Sequence, residues 1–268
     1  IGDLKPERSD SWEVGLDMKL FKDFNLGLSW YLANTFNQTF DPQISVSSGY
    51  TTIYLQTGYV RNTGLELSLG YGHTWNNNFR WDSNFTLSHN KNKIKELVRD
   101  YVHPETGELI NKDRLDVGGL GKARFILKEG GTLGDLYTQS DLKRDDNGMV
   151  DIDPTGIVAI ENNLPDIKLG SVFPKANLAW SNHFSWKGIS LSALFTARIG
   201  GIVYSATEAA MDQYGVSERS ALARDNGGVL VNNRTLVDAQ NYYTTIGSES
   251  GLPQYYTYNA TNVRLQEA

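Results

Sequence analysis

The chain has 268 residues, carries 25 Lys and Arg against 31 Asp and Glu for a net charge of −6, and contains no cysteine. That balance, with no basic stripe long enough to follow a phosphate backbone, argues against nucleic-acid binding, and the missing thiols exclude disulfides and thiolate metal sites. No run approaches the ~18 consecutive apolar residues of a spanning helix, which leaves a membrane β-barrel open because its signal is spread over short alternating segments.

The first such segment puts Trp12, Val14, Leu16, Met18 and Leu20 on one strand face and Glu13, Gly15, Asp17 and Lys19 on the other. After a short turn around Lys22 and Asp23, Phe24, Leu26, Leu28, Trp30 and Leu32 alternate with Asn25, Gly27, Ser29 and Ala33. Residues of about 34–59 lose the period and read as a long loop. A third strand then sets Leu65, Leu67, Leu69 and Tyr71 against Gly64, Glu66, Ser68 and Gly70. An asparagine turn at 76–78 leads to a fourth, with Phe79, Trp81, Phe85 and Leu87 against Arg80, Asp82, Asn84 and Thr86.

Residues of about 91–169 show no sustained period and are charged and glycine-rich. Residues 174–200 restore the pattern on two strands around a turn at Lys187 and Gly188. Ala176, Leu178, Trp180, Phe184 and Trp186 share a face broken only by Asn182, and Ile189, Leu191, Ala193, Phe195, Ala197 and Ile199 continue it. A last long segment, about 202–256, holds two short helical stretches, at 206–211 and 217–223, before a seventh strand carrying Val263 and Leu265. Each strand of the 174–200 hairpin spans ten to twelve residues; a bilayer crossing needs ~9–11, against ~5–6 in soluble sheets. Turns alternate short and long, and aromatic residues gather toward strand ends, as at the two surfaces of a membrane. The expected fold is all-β, part of a large antiparallel transmembrane barrel with long extracellular loops and short periplasmic turns. A passive porin and a soluble β-sandwich glycan-binding module share much of this pattern.

At residues 4–21, LKPERSDSWEVGLDMKLF, the chain resembles the SusC/RagA group of TonB-dependent outer-membrane transporters. The likeness continues at Asn62-Thr63-Gly64-Leu65-Glu66-Leu67, at Leu164-Pro165 before the Lys187-Gly188 hairpin, and at Asn262-Val263-Arg264-Leu265-Gln266-Glu267. It implies TonB-dependent import of oligosaccharides or oligopeptides across the outer membrane of a Gram-negative bacterium, with a SusD-like surface lipoprotein as lid and energy from the TonB complex. It also implies that residues 1–268 are a late part of the barrel, without signal peptide, plug or final strands. About seven strands cannot close a barrel of the 22-stranded plugged class, so the wall is expected to continue or to pair. One departure concerns a loop in which the group often carries an Asp-x-Asn-Gly-Asp-Gly run, a plausible calcium cradle. Met149 and Val150 replace its central Asp-Gly here, and a solvated turn is expected at 145–153.

No chemistry is expected of the side chains. His73, His89, His103 and His183 lack zinc-helix spacing, and Gly118-Gly119-Leu120-Gly121-Lys122-Ala123 departs from a phosphate loop at both ends. Neither an enzyme, nor a metal site, nor a cofactor is anticipated. The candidate lumen-facing residues are Glu13, Asp17, Glu66, Arg80, Asp82, Lys175, His183 and Arg198, with a structural role in solvating the wall as the alternative. Tyr242, Tyr243, Tyr255 and Tyr256 cluster in the last long loop. Their rings could stack on cargo or pack the loop itself.

Overall fold

A computed structural model describes residues 5–40, 55–56, 58–75, 78–102, 107 and 109–268; His103 lies outside these. Seven long strands form one antiparallel sheet: β1 (Arg8–Leu20), β2 (Phe24–Phe36), β3 (Tyr59–Thr74), β4 (Phe79–Glu96), β5 (Ala176–Trp186), β6 (Ile189–Ile199) and β7 (Asn262–Glu267). Their spatial order is their chain order, an up-and-down meander, with β1 and β7 on its open edges. Short connections fall at one end, at 21–23, 75–78 and 187–188, and long ones at the other. Lys187 and Gly188 both take positive φ, 47° and 87°, the backbone of a type I′ turn whose twist matches that of the strands it joins.

The pairing register turns the alternation of single strands into belts. Leu16 pairs with Leu28, Leu28 with Leu67, Leu67 with Leu87, Leu87 with Leu178, Leu178 with Ala197, and Ala197 with Val263. One level toward the short turns, Met18, Leu26, Leu69, Phe85, Trp180, Phe195 and Leu265 form a second uninterrupted apolar row. This face is bare: Trp12 is 74 % exposed, Ile189 69 % and Leu191 63 %, and neither buried core cluster includes a residue of these rows. Soluble sheets bury such a face against a second layer, and here no element among the described residues does so.

Below the apolar rows, at the short-turn end, aromatic rings follow one another across strands. Phe24 and Tyr71 are 4.7 Å apart by ring centroid, Tyr71 and Trp81 5.1 Å, Trp81 and Phe184 5.9 Å, His73 and Trp75 4.4 Å, and Trp75 and Phe79 5.3 Å. Among the polar residues on the apolar face, Ser83 and Asn182 oppose each other. Each accepts an indole N–H from a diagonal neighbour: Trp180 donates to Ser83 Oγ at 2.9 Å and Trp81 to Asn182 Oδ1 at 3.1 Å. At this break in the pattern both indole N–H groups thus find an acceptor, as their place in an apolar row favours.

The described parts of the connections after β4 and after β6 are folded. The segment after β4 makes a four-stranded sheet in the order Ile167–Ser171, Asp135–Thr138, Ala123–Lys128, Arg114–Leu120. Leu115 and Leu127 from it join Val60, Ile94, Leu97 and Val98 in one core. Val60 and Ile94 share the polar parity of β3 and β4, so this sheet caps the polar side of the wall at the long-loop end. β4 therefore extends through Glu96, well beyond the expected alternation, and the stretch expected to lack a period contains strands. The segment after β6 holds α1 (Ala206–Gln213), α2 (Glu218–Asp225) and α3 (Ala239–Gly247). Ser205, Ser217 and Asp238 cap them by accepting from Glu208, Ser220 and Asn241 backbone N–H groups. The first two helices match expectation and α3 was not anticipated. Leu142 and Val158 from the earlier segment enter the core of this helical unit, which joins the two excursions.

Candidate functional site

The polar face of the wall is concave. A single hollow of about 510 Å³ touches β1 through β5, and its lining includes Glu13, Asp17, Ser29, Glu66, Ser68 and Thr86, all of the polar parity. Small residues such as Gly15, Gly27 and Ala179 form its floor and leave it open. Glu13 accepts from Ser29 Oγ at 2.7 Å, while among the described residues Asp17 and Glu66 make no such bond. No Lys or Arg is among the residues lining this hollow. Three carboxylates on one concave surface produce a negative field toward whatever occupies it.

The remaining expected residues spread along the same face. Arg80 forks onto Asp82 with two bonds of 2.6 Å near the short-turn end, a rigid pair held within one strand. His183 Nδ1 is 2.7 Å from Ser192 Oγ and, with Asp82 and Asn84, lines a second hollow of about 370 Å³. Lys175 lies at the long-loop end, just before β5, where its backbone N–H donates to Ile199 O at 2.7 Å. Arg198 donates through Nη2 to the carbonyl of Val172, tying β6 to the segment that leads into β5. Glu13, Asp17 and Glu66 are thus brought together, Asp82 and His183 form a second group, and Lys175 and Arg198 stand at the rim.

Tyr256 is fully buried and Tyr243 nearly so, both in the core of the helical unit, with Tyr242 and Tyr255 packed against that core. Tyr256 donates to Asp212 Oδ2 at 2.9 Å, and the Arg219 guanidinium sits 4.9 Å above its ring. Burial drives the phenols of Tyr255 and Tyr256 upward, with Tyr242 adding to the first and Asp212 to the second. Of the two roles expected of these rings, Tyr243 and Tyr256 take the packing one, because the loop needs a core of its own.

One residue on the concave face escaped the sequence reading. Tyr31 lies on the polar parity of β2 and its ring crosses Gly64, where a Cβ would come within 2.1 Å of it. Its hydroxyl reaches Asn90 Oδ1 at 3.3 Å. Asn90 and Asn92 both donate to Asn62 Oδ1, at 3.1 and 3.0 Å, and Asn92 Oδ1 accepts from the Leu133 backbone at 2.8 Å. A polar ladder thus climbs from the wall to the capping sheet. The signal was an aromatic out of place on a polar parity, facing a glycine across the ladder. Among the described residues no group of three or more His, Cys, Asp or Glu side chains is arranged to hold a metal ion.

Comparison with known proteins agrees with this geometry. Among curated relatives, TonB-dependent receptor P39 of Formosa agariphila (strain DSM 15362 / KCTC 12365 / LMG 23005 / KMM 3901 / M-2Alg 35-1) is 28% identical over 142 residues, 53% of this chain and 12% of that protein. TonB-dependent receptor P3 of the same organism is 26% identical over 225 residues, 76% of this chain and 21% of that protein. Among solved structures, the RagAB peptide transporter superposes with a TM-score of 0.65 at 19% identity, over 97% of this chain and 28% of that one. The chain thus spans about a fifth or less of these curated relatives. Residues 1–261 match the family described as TonB dependent receptor-like, beta-barrel. The chain belongs to that family of TonB-dependent receptor barrels.

Proposed function

We propose that the seven strands are a late sector of an outer-membrane barrel that imports oligopeptides or oligosaccharides by a TonB-dependent route. The observation that carries this reading is the pair of apolar rows crossing all seven strands on the convex side of a sheet whose concave side is polar and carboxylate-lined. A wall between hydrocarbon and a hydrophilic bore needs that division. The convex face meets outer-membrane lipid, and Glu13, Asp17, Glu66, Arg80, Asp82 and His183 face the bore. Lys175 and Arg198 stand at its outer mouth.

The long-loop end, with its folded sheet and helical unit, is the extracellular side, where a SusD-like lipoprotein would close over the mouth. The likeness to a structure named as a peptide transporter favours peptide cargo. No covalent step is involved: capture beneath a lid, movement of a plug driven through the TonB complex, and release complete the cycle. Uptake of fluorescent peptide and glycan mixtures by cells carrying the full-length protein tests this. Uptake abolished by loss of TonB or by an uncoupler supports active import. Uptake that persists would return the reading to a passive porin.

A further inference from the structure

The glycine-lysine run at 118–123, which only faintly resembled a phosphate loop, has a different role in the fold. Gly121 and Lys122 form the tip of the hairpin between Arg114–Leu120 and Ala123–Lys128, in the sheet that caps the polar side of the wall. That tip rests on the segment following α3. Gly121 takes φ +57°, and a Cβ there would lie 2.7 Å from the Glu249 carbonyl oxygen and 2.8 Å from Ser250 Cβ. Lys122 Nζ makes a 2.8 Å ion pair with Glu249 and lies 3.5 Å from the Ser248 carbonyl.

The segment beneath the tip is strained. Glu249 and Ser250 take φ of 50° and 73°, followed by Gly251 at 88°, three left-handed residues in succession of which two carry side chains. Its ends are fixed, since Ile246 and Leu252 are buried and Leu252 N–H donates to Ile246 O at 2.7 Å. Tyr204 donates its hydroxyl to the Ser250 carbonyl from below. The two halves of the ion pair differ in setting: the Lys122 side chain is 11 % exposed, whereas that of Glu249 is 83 % exposed and loses little hydration on closing.

We propose that Lys122 and Glu249 form a releasable latch that clamps the tip of the mouth-capping hairpin onto a strained strap, Ser248 to Gly251, of the helical unit. Closing holds the strap in its left-handed conformation. Opening hydrates both charges, lets the strap relax and frees the hairpin tip from the helical unit, which gives the two loop layers two discrete arrangements. The effect of this on passage through the mouth rests on the importer reading. The latch itself does not.

Hydrogen exchange of the full-length protein in lipid vesicles tests it through peptides covering 118–124 and 246–252. Lys122→Glu and Glu249→Lys are each expected to speed exchange there at least tenfold, and the double swap to return it to within threefold of the parent. High salt should speed exchange in the parent and leave the single variants unchanged. Ser250→Gly keeps both charges while relieving the strap, so it should slow exchange. Single swaps within twofold of the parent, or a double swap as fast as the singles, would overturn the latch, and faster exchange in Ser250→Gly would overturn the role of strain. Protection in β1 to β6 reports that each variant is folded. Should a swap fail there, Lys122→Met and Glu249→Gln carry the same expectation of faster exchange, and exchange unchanged in both would overturn the latch equally.

Discussion

Leu67 sits in the row formed by Leu16, Leu28, Leu87, Leu178, Ala197 and Val263, flanked directly by Leu28 and Leu87. His73, in the aromatic belt, is six positions further along β3. At ~3.4 Å per residue that is ~20 Å along the strand, and with a tilt of ~40° it is ~15 Å along the membrane normal. In an apolar band ~25 Å tall this places Leu67 near the midplane, where an arginine facing lipid costs about 2–4 kcal/mol. At 1.4 kcal/mol per decade, Leu67→Arg should shift the folding equilibrium roughly 30- to 700-fold. Ser68→Arg, one residue on, points toward the carboxylates of the concave face and should cost close to nothing. Tyr71→Arg, near the band's edge, should fall between them. Denaturant titration of the full-length barrel refolded into lipid vesicles measures all three. A Leu67→Arg cost below that of Ser68→Arg would refute the assignment of faces, whatever the ranking of the third variant.

Three further outcomes follow from single contacts. Gly64→Ala forces a Cβ into the Tyr31 ring and should destabilise by about 1–3 kcal/mol; combined with Tyr31→Ala it should cost at least ~1 kcal/mol less than the sum of the singles, and strict additivity would contradict the contact. Asn182→Leu makes the outer face more apolar yet should destabilise by about 1–3 kcal/mol by stranding the Trp81 N–H, whereas with Trp81→Phe most of that cost should vanish; a neutral Asn182→Leu would contradict the Trp81–Asn182 hydrogen bond. Arg114 grips Asp166 with bonds of 2.7 and 2.8 Å, and together with Lys128 it holds that carboxylate well below the usual range. Because the folded state then binds the proton more weakly than the unfolded chain, whose value is ~3.9, the stabilisation is complete above that value and is lost as pH falls through the folded one. Calorimetry should show the capping sheet's melting temperature declining from about pH 5 downward, and Asp166→Asn should lower it at neutral pH and flatten the decline. Equal slopes in the two proteins would refute the role of Asp166.

The wall was legible because a strand with lipid on one side and water on the other writes its environment at period two. Seven such segments and their short turns followed from that alternation. Legibility stopped in β4 beyond Ser88, where Asn90, Lys91, Asn92 and Lys93 put polar residues on both faces, so no hydropathy period shows although Asn92 and Ile94 are buried beneath the capping sheet. The capping sheet buries Leu115, Ala123, Ile126, Leu127, Leu136 and Tyr137, but on strands of only four to seven residues, too short and irregular for a period to show. Helix α3 is rich in Tyr, Thr and Ile, residues that favour strands, and it is fixed instead by Tyr243 and Ile246 entering the core and by its Asp238 cap. The carboxylates of the concave face were visible one by one as polar-parity residues. That Tyr243 and Tyr256 are buried was not, since composition gives no account of which ring a loop folds around.

With any cysteine outside residues 1–268, which contain none, replaced by serine, a spin label can be placed at each of Leu65, Glu66, Leu67, Ser68 and Leu69 in turn. Collision rates with oxygen, which partitions into lipid, and with a water-soluble nickel chelate then report what each position of β3 touches in the full-length protein in a bilayer. The structure predicts strict alternation, with oxygen dominant at Leu65, Leu67 and Leu69 and not at Glu66 and Ser68. Equal oxygen access along the strand, or alternation in the opposite phase, would contradict a wall with lipid on its leucine side.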